Sequence, residues 1–445
     1  MTSGDTSSAA PWPVRRDLLA LALLALAVRL TFLWAGLASQ NLSALAMVAP
    51  DSSVYAQLTE HVRTGLPVEE RLLLVATPGY PALLAGLASV FGDFLWPAVM
   101  LNILLGAMAP VAVYLIAAAL IQQRTVAVLS GLWVTLSFTG LSMSTSLLTD
   151  QPFYTLHAFG LLFFLWGLRT GRTRWFVAAG VVSTVATAIR PLGQLWVWVY
   201  PMLGAGWVLA DTGRRNWRVF VRSLWVPGLM LAFVLAWSMH NADRHGIFTF
   251  TTNGVRASWA YLAATAVADH TPGATFDSVR NAWSDQVHSS HDGQPLSQAT
   301  VHARMKSQVM SVLSEHPGWM LDSFTGIVRQ NLRASNHFAE AQVPRWSRFW
   351  AALRNLSHDW INPLIVWLSA LGWILLIRAH LWRAALVLGI TYAYFSLTAG
   401  FSFWQGSRLH FPAEMAWAIL VSYVLVRAGE RWRGSRYVRD EVVSA

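Results

Sequence analysis

Residues 96–121 read WPAVMLNILLGAMAPVAVYLIAAALI, twenty-six residues without one charged side chain. As a helix this stretch is roughly 39 Å long, more than the ~30 Å of hydrocarbon in a bilayer. A soluble core helix of that length would show a polar face; this one shows none and is read as a membrane span. Working outward, apolar stretches of similar character fall at 18–38, 125–146, 150–168, 175–190, 192–210, 222–241, 361–378, 384–400 and 409–426, giving ten predicted spans. The first follows Arg15-Arg16 and is expected to be a retained helix, not a signal peptide, because it lacks the usual small-residue cleavage site.

The composition says the same. Apolar residues make up 55% of the 445 and charged residues 12%, about half the charge that ordinary soluble domains carry. A soluble globular enzyme and a disordered chain are both excluded. The 24 tryptophans and 10 tyrosines suit the headgroup level of a membrane. With no cysteine, disulfides, thiolate metal sites and cysteine nucleophiles are excluded. The net charge of +10 would point to nucleic acid only as a patch on a soluble face, and the arginines instead sit in short clusters between apolar runs. No nucleic-acid partner is expected; the bilayer is.

Sidedness follows from those clusters. With the amino terminus inside, the inner segments hold 17 basic and six acidic residues, while the outer segments 39–95 and 242–360 hold 12 basic and 14 acidic. The excess of positive charge inside supports this orientation, with both termini cytoplasmic. The chain then divides into a tail at 1–17, a bundle of about seven spans at 18–241 that includes the outer loop 39–95, an extracytoplasmic segment at 242–360, about three spans at 361–426 and a basic tail at 427–445. In the large outer segment a helical pattern runs from 299 to 314, Pro317-Gly318 interrupts it, and a second helix starts at Trp319 and ends near Arg333. The fold class expected is all-α: a polytopic integral membrane protein of about ten helices with a small, mainly helical extracytoplasmic domain.

Charges near hydrocarbon are costly unless paired or wet, so each asks for a role. Arg29 lies near the middle of the first span and is expected to pair inside the bundle or to snorkel. Asp51, Asp150, Arg190, Arg408 and Glu414 all map to the outer end. Asp51 follows Pro50, where it or Ser52 would cap a helix carrying Tyr55, Leu58 and Val62 as an apolar stripe; it is also placed to act on an incoming acceptor group. Both readings stay open. Arg329, Arg333 and His337 form a basic feature that either meets a phosphate or is simply solvated. His288, His291 and Asp292 have metal-compatible spacing but lie in a Ser- and Gly-containing run that reads better as a polar loop. A transporter or lipid flippase built from the same spans is the alternative function; the lack of acidic groups at mid-depth and the size of the outer segments speak against it.

The order Asp51-Ser-Ser-Val-Tyr55, Thr77-Pro-Gly-Tyr-Pro81, Ser146-Leu-Leu-Thr-Asp150, Thr187-Ala-Ile-Arg-Pro191, Thr252-Asn-Gly254, Glu315-His-Pro-Gly318 and Gly406-Ser-Arg-Leu-His-Phe-Pro412 resembles the GT-C superfamily of polytopic glycosyltransferases. It is most similar to the branch of dolichyl-phosphate-mannose-protein mannosyltransferase-like and aminoarabinose-transferase-like proteins. The resemblance implies transfer of a sugar from a polyprenyl-phosphate donor to a lipid, glycan or protein acceptor at the outer face of the cell membrane. It implies Asp51 as catalytic carboxylate with Asp150 as the second acid, and Arg408, backed by Arg190 and Arg333, as the donor-phosphate ligand. Tyr55, Tyr80, Glu414 and His337 complete the candidate substrate site. The lipid-linked donor is a substrate and no cofactor is required; a divalent metal is compatible with the chemistry but not predicted. The pattern departs from relatives in having Ser52 where many have a second adjacent acid, and Asp150 where a glutamate is usual.

The cysteine-free chain makes the topology directly testable. A cysteine placed at Arg218 is expected to react with a membrane-impermeant maleimide only after the membrane is opened, and one at Ser290 without opening; the reverse pattern would overturn the orientation.

Overall fold

A computed structural model describes residues 14–210, 216–289, 296–335, 338–402 and 405–443. Among these residues all regular structure is helical. The charge-free stretch forms one helix, Leu95–Ile121, buried along most of its length. It packs against Val14–Leu37, Arg124–Thr135 and Asp150–Thr170, and these four elements form the centre of the bundle.

The ten expected spans are not all matched. Among the described residues six helices are long and apolar enough to cross a membrane: Val14–Leu37, Leu95–Ile121, Trp217–His245, Pro344–Arg378, Trp382–Phe401 and Phe411–Trp432. The pair Arg124–Thr135 and Phe138–Thr145, bent by 49°, makes a seventh if counted as one span. The stretch 150–168 does form a helix, Asp150–Thr170, but it opens on Asp-Gln-Pro and buries Thr155 and His157, so its composition falls short. The stretches 175–190 and 192–210 become Thr173–Ile189 and Trp196–Leu209, of 17 and 14 residues. Pro191 is the reason: the residue before a proline is pushed out of the α region, and Arg190 takes φ −142° and ψ 127°. A short turn, Pro191–Gly193, follows before the chain returns.

Among the described residues of 242–360 the regular structure is helical, as expected, with small cores of its own. Leu262, Ala263, Ala266, Val312, Met320 and Ile327 form one, and Trp259, Val287, Val301 and Met305 another. The two helices read from the sequence are Gln298–Glu315, capped by the Ser297 hydroxyl on the Thr300 amide, and Pro317–Arg333. Pro317 begins the second at the position where a missing N–H costs nothing. Arg29 neither snorkels nor meets solvent: it is buried and donates to the Ser144 hydroxyl at 3.0 Å and to the carbonyls of Ala25 and Thr135.

Two helices of the first loop prepare the site. Pro50–Thr64 is preceded by Ala49, which offers no side-chain cap, so neither Asp51 nor Ser52 caps it as the sequence reading allowed. Leu58 is buried, but Val62 is exposed and leaves the expected stripe. Gly79–Phe91 buries Tyr80 and Leu84 and leans on Thr173–Ile189. Their closest approach is at Gly79, where a Cβ would stand 2.6 Å from the Ala188 carbonyl oxygen. Gly79→Ala therefore forces two backbones apart next to Arg190 and is expected to cost about 1–3 kcal/mol. Thermal unfolding in detergent checks this, and an unchanged midpoint would deny the contact.

Candidate functional site

Four chain segments converge at one end of the bundle, and each delivers one charge. Asp51 stands in the first turn of Pro50–Thr64 and Asp150 opens Asp150–Thr170. At both positions the unpaired amides of a helix N-terminus favour a carboxylate. Arg190 follows the end of Thr173–Ile189 in extended backbone. Arg408 closes the tight turn Gly406–Arg408 that precedes the last span. That turn needs its glycine, because Gly406 has φ +55° and a Cβ there would press to 2.7 Å from the Ser335 carbonyl oxygen.

The Arg408 guanidinium is shared. Nε donates to both oxygens of Asp150 at 3.3 and 3.2 Å, and Nη2 donates to Asp51 Oδ2 at 2.6 Å. Arg190 Nη1 pairs with Asp150 Oδ1 from the other side. Two acids and two bases thus balance in charge, but not in exposure: the side chains are 1% exposed for Asp150, 4% for Arg408, 13% for Arg190 and 45% for Asp51. Burial opposes the charge on Arg408, yet the two carboxylates outweigh it and hold the guanidinium above its usual range, fully charged. Asp150 is enclosed between two cations and touches no open space. Asp51 is the carboxylate that an incoming molecule can reach.

Two tyrosines flank the cluster. The Tyr55 hydroxyl lies 3.4 Å from Thr149 Oγ1, and its ring meets Tyr80 edge to face at 5.0 Å. Burial, together with the Asp51 charge, pushes the Tyr55 phenol up to about 12, so it stays protonated and serves as a hydrogen-bond donor, not a base. The remaining candidates from the sequence lie apart. Arg333 is exposed at the end of Pro317–Arg333, where with Arg329 it lines a separate cavity walled by Val366, Trp367 and Leu397. Glu414 is buried one turn into the last helix and faces a different cavity. His337, His291 and Asp292 lie outside the described residues. His288 sets Nδ1 against the Ser284 carbonyl, and among the described residues no three acids or histidines gather as metal ligands.

Sequence reading missed three residues that matter here. Gln342 is fully buried; its amide nitrogen donates to the Ser142 carbonyl, the Thr145 hydroxyl and the Ser146 hydroxyl, and its oxygen accepts from Ser142. Asn102 donates to the Ser146 carbonyl at 2.8 Å. Together they fix the polar stretch that ends in Asp150, and the only sequence signal was an amide inside the charge-free span. Arg256, which the sequence reading did not single out, lies half-buried within electrostatic reach of Asp51, Arg71 and Arg280. Burial and the two neighbouring arginines lower its affinity for a proton, so the mouth of the site carries cationic charge beyond the balanced four.

A family model described as dolichyl-phosphate-mannose-protein mannosyltransferase matches residues 75–240, which include Tyr80, Asp150 and Arg190 but not Asp51 or Arg408. No curated protein matches the chain. Among solved structures, the archaeal oligosaccharyltransferase AglB from Archaeoglobus fulgidus, in complex with an inhibitory peptide and a dolichol-phosphate, superposes with a TM-score of 0.55. It is 12% identical over 96% of this chain and 52% of that one. The fold is GT-C-like. The Archaeoglobus fulgidus oligosaccharyltransferase tethered to an acceptor peptide containing the NVT sequon gives a TM-score of 0.50 at 10% identity, covering 96% of this chain and 51% of that one. This chain spans about half the length of both structures, and at such identities the likeness concerns the fold alone.

The geometry ranks the two acids. Asp150→Asn removes the enclosed carboxylate that Arg190 and Arg408 share and is expected to cost about 3–5 kcal/mol, whereas Asp51→Asn removes a half-exposed partner and costs far less. Paired thermal unfolding of the two variants in detergent measures the order; equal losses would contradict it.

Proposed function

We propose that the protein transfers a sugar from a polyprenyl-phosphate donor to a hydroxyl or amine acceptor at the outer face of a cell membrane. The observation that carries this reading is the shared Arg408: one buried guanidinium joins an enclosed carboxylate to an accessible one. The GT-C-like fold and the mannosyltransferase model over 75–240 support it.

The site suits the chemistry. A sugar on a polyprenyl phosphate already carries its leaving group, so no nucleotide is needed. The enzyme must hold the anomeric carbon against the acceptor and stabilise the departing phosphate. Arg408 has five N–H donors; Nε is committed to Asp150, and Nη2 to Asp51. Phosphate oxygens compete for the Asp51 side of the guanidinium, while Asp150 and Arg190 keep its plane in position. Asp51, freed from Arg408, accepts the acceptor's proton. The acceptor oxygen or nitrogen forms its bond to the anomeric carbon as the carbon–phosphate oxygen bond breaks. The phosphate leaves with the bonding pair, its charge held by Arg408. Direct displacement inverts the anomeric configuration. In this reading Asp150 positions and does not touch substrate.

Asp51→Asn keeps size and hydrogen-bonding capacity while removing the base. Transfer from a radiolabelled polyprenyl-phosphate sugar is expected to fall by about 10²-fold or more, with donor affinity not weakened, since the competing carboxylate is gone. Near-normal transfer by a folded Asp51→Asn would reject the catalytic assignment.

A further inference from the structure

The end of Pro317–Arg333, a helix of the segment 242–360, is tied to the end of a membrane span. Asn331 lies in its last turn and is 1% exposed. The side-chain nitrogen donates to the Ala399 carbonyl at 2.9 Å and to the Ser402 carbonyl at 2.6 Å. Both carbonyls stand where the apolar helix Trp382–Thr398 runs out through the turn Ala399–Phe401. Carbonyls at the end of a helix lack partners within it, and here one amide supplies a donor to each of two. The Asn331 oxygen, by contrast, has no hydrogen-bond partner. What the fold uses is the pair of N–H groups.

The chain that Asn331 holds leads into the Gly406–Arg408 turn, and the same helix end meets that turn a second time. Asn362, at the start of Asn362–Arg378, donates to the Arg333 carbonyl at 2.9 Å and to the Ser335 hydroxyl at 3.2 Å, which fixes the backbone leaving Pro317–Arg333. That backbone lies against the turn, since a Cβ on Gly406 would stand 2.7 Å from the Ser335 carbonyl oxygen. Farther along, the Phe338 ring centre is 5.9 Å from Arg408 Cζ. On the bundle side the Thr139 and Ser407 hydroxyls lie 2.6 Å apart. The turn's own backbone bonds are longer than usual, Arg408 to the Gln405 carbonyl at 3.3 Å and Leu409 to the Gly406 carbonyl at 3.2 Å. The direction of the guanidinium therefore depends on what grips the turn from outside.

We infer that Asn331 is a positioning residue for Arg408: it sets the guanidinium for the donor phosphate from the segment 242–360, without touching substrate. The inference rests on the reading of Arg408 as the donor-phosphate ligand. A guanidinium recognises phosphate by the direction of its N–H fork as well as by charge, so a turn that is free to tilt loses bonds while keeping its charge. An asparagine that only closed the end of a span would affect stability alone. Asn331 instead holds Ser402, six positions before Arg408, and belongs to the helix whose exit presses on Gly406.

The test uses the full chain in detergent, a radiolabelled polyprenyl monophosphate as probe and thermal unfolding as the folding control. Arg408→Lys keeps the charge but loses the fork, and is expected to weaken binding about tenfold, the loss of one hydrogen bond to a charged group. Asn331→Leu, close in size, should weaken binding by the folded protein about as much. The double variant separates positioning from stability. If Asn331 acts through Arg408, adding Asn331→Leu to Arg408→Lys should change binding by less than about twofold, because the bond it aligns is already gone. Asn331→Thr keeps one donor, should weaken binding less than Asn331→Leu, and carries the test if that variant does not fold. Wild-type affinity in a folded Asn331 variant, or losses that add in the double variant, would overturn the inference and leave the sugar-transfer reading standing. Unchanged binding by Arg408→Lys would overturn that reading, and this inference with it.

Discussion

Arg408 binds carboxylates that lie 357 and 258 residues before it in the chain, and it does so almost wholly out of water. A guanidinium in that setting is tolerable only if its partners are fixed. The fold can be understood as the apparatus that fixes them. Pro191 breaks one helix so that Arg190 reaches Asp150 from the side, and the Gly406 turn folds Arg408 back under Ser335. The first-loop helix starts on Ala49 and Pro50, leaving Asp51 without capping duty and available to the arginine. None of these local features makes sense as a device for helix stability alone. Each leaves a helix shorter, uncapped or kinked.

The burial gradient across the cluster then gives its members different work. Asp150, with an arginine on each side, is an anchor: its charge is used up in holding two cations. Asp51 touches the same guanidinium from a half-exposed position, where solvent and ligands compete on nearly equal terms. A balanced cluster of two acids and two bases attracts a phosphate only by giving up one of its own bonds. The weaker, wetter bond is the one to Asp51. In the proposed reaction, donor binding and release of Asp51 would be a single event, keeping the carboxylate engaged until the donor is in place.

Much of this was legible in the sequence, and the limits are physical. The convergence of Asp51, Asp150, Arg190 and Arg408 was readable because ionisable residues at a membrane boundary need partners, and all four map to one end. The resemblance to GT-C enzymes added an expected order of roles to residues that charge alone had already singled out. What was illegible is which carboxylate is enclosed, since burial of a side chain at a helix start depends on what packs across from it. Arg333 and Glu414 illustrate this: both have the right type and depth, but the helix faces that carry them turn elsewhere. The span count failed for a related reason. An apolar run counts the same wherever it packs, so 150–168, 175–190 and 192–210 all read as spans, although the first folds as a helix with polar residues buried by its neighbours and Pro191 keeps the other two to 17 and 14 residues. Gln342 left no trace in pattern or charge, because an amide can be satisfied wherever backbone groups happen to collect.

Two polar centres at this end of the bundle are electrically unlike. Around Arg408 every carboxylate oxygen engaged with a guanidinium is matched by donors, Arg256 adds a further cation at the mouth, and an approaching anion meets an excess of N–H groups. Around Glu414 the cation is Arg29, whose N–H groups are spent on Ser144 and on backbone carbonyls, and what remains open is an acceptor oxygen. At the first centre a ligand competes with a half-exposed carboxylate for the guanidinium; at the second the unpartnered oxygen is enclosed. Only the turn from Gly406 to Pro412 separates them, with Arg408 on one side and His410 on the other. Residue type alone does not separate the two centres: the buried guanidinium keeps a half-exposed partner in Asp51 and an enclosed one in Asp150, whereas the buried Glu414 Oε2 has none, and it is what packs across from each side chain that makes the difference.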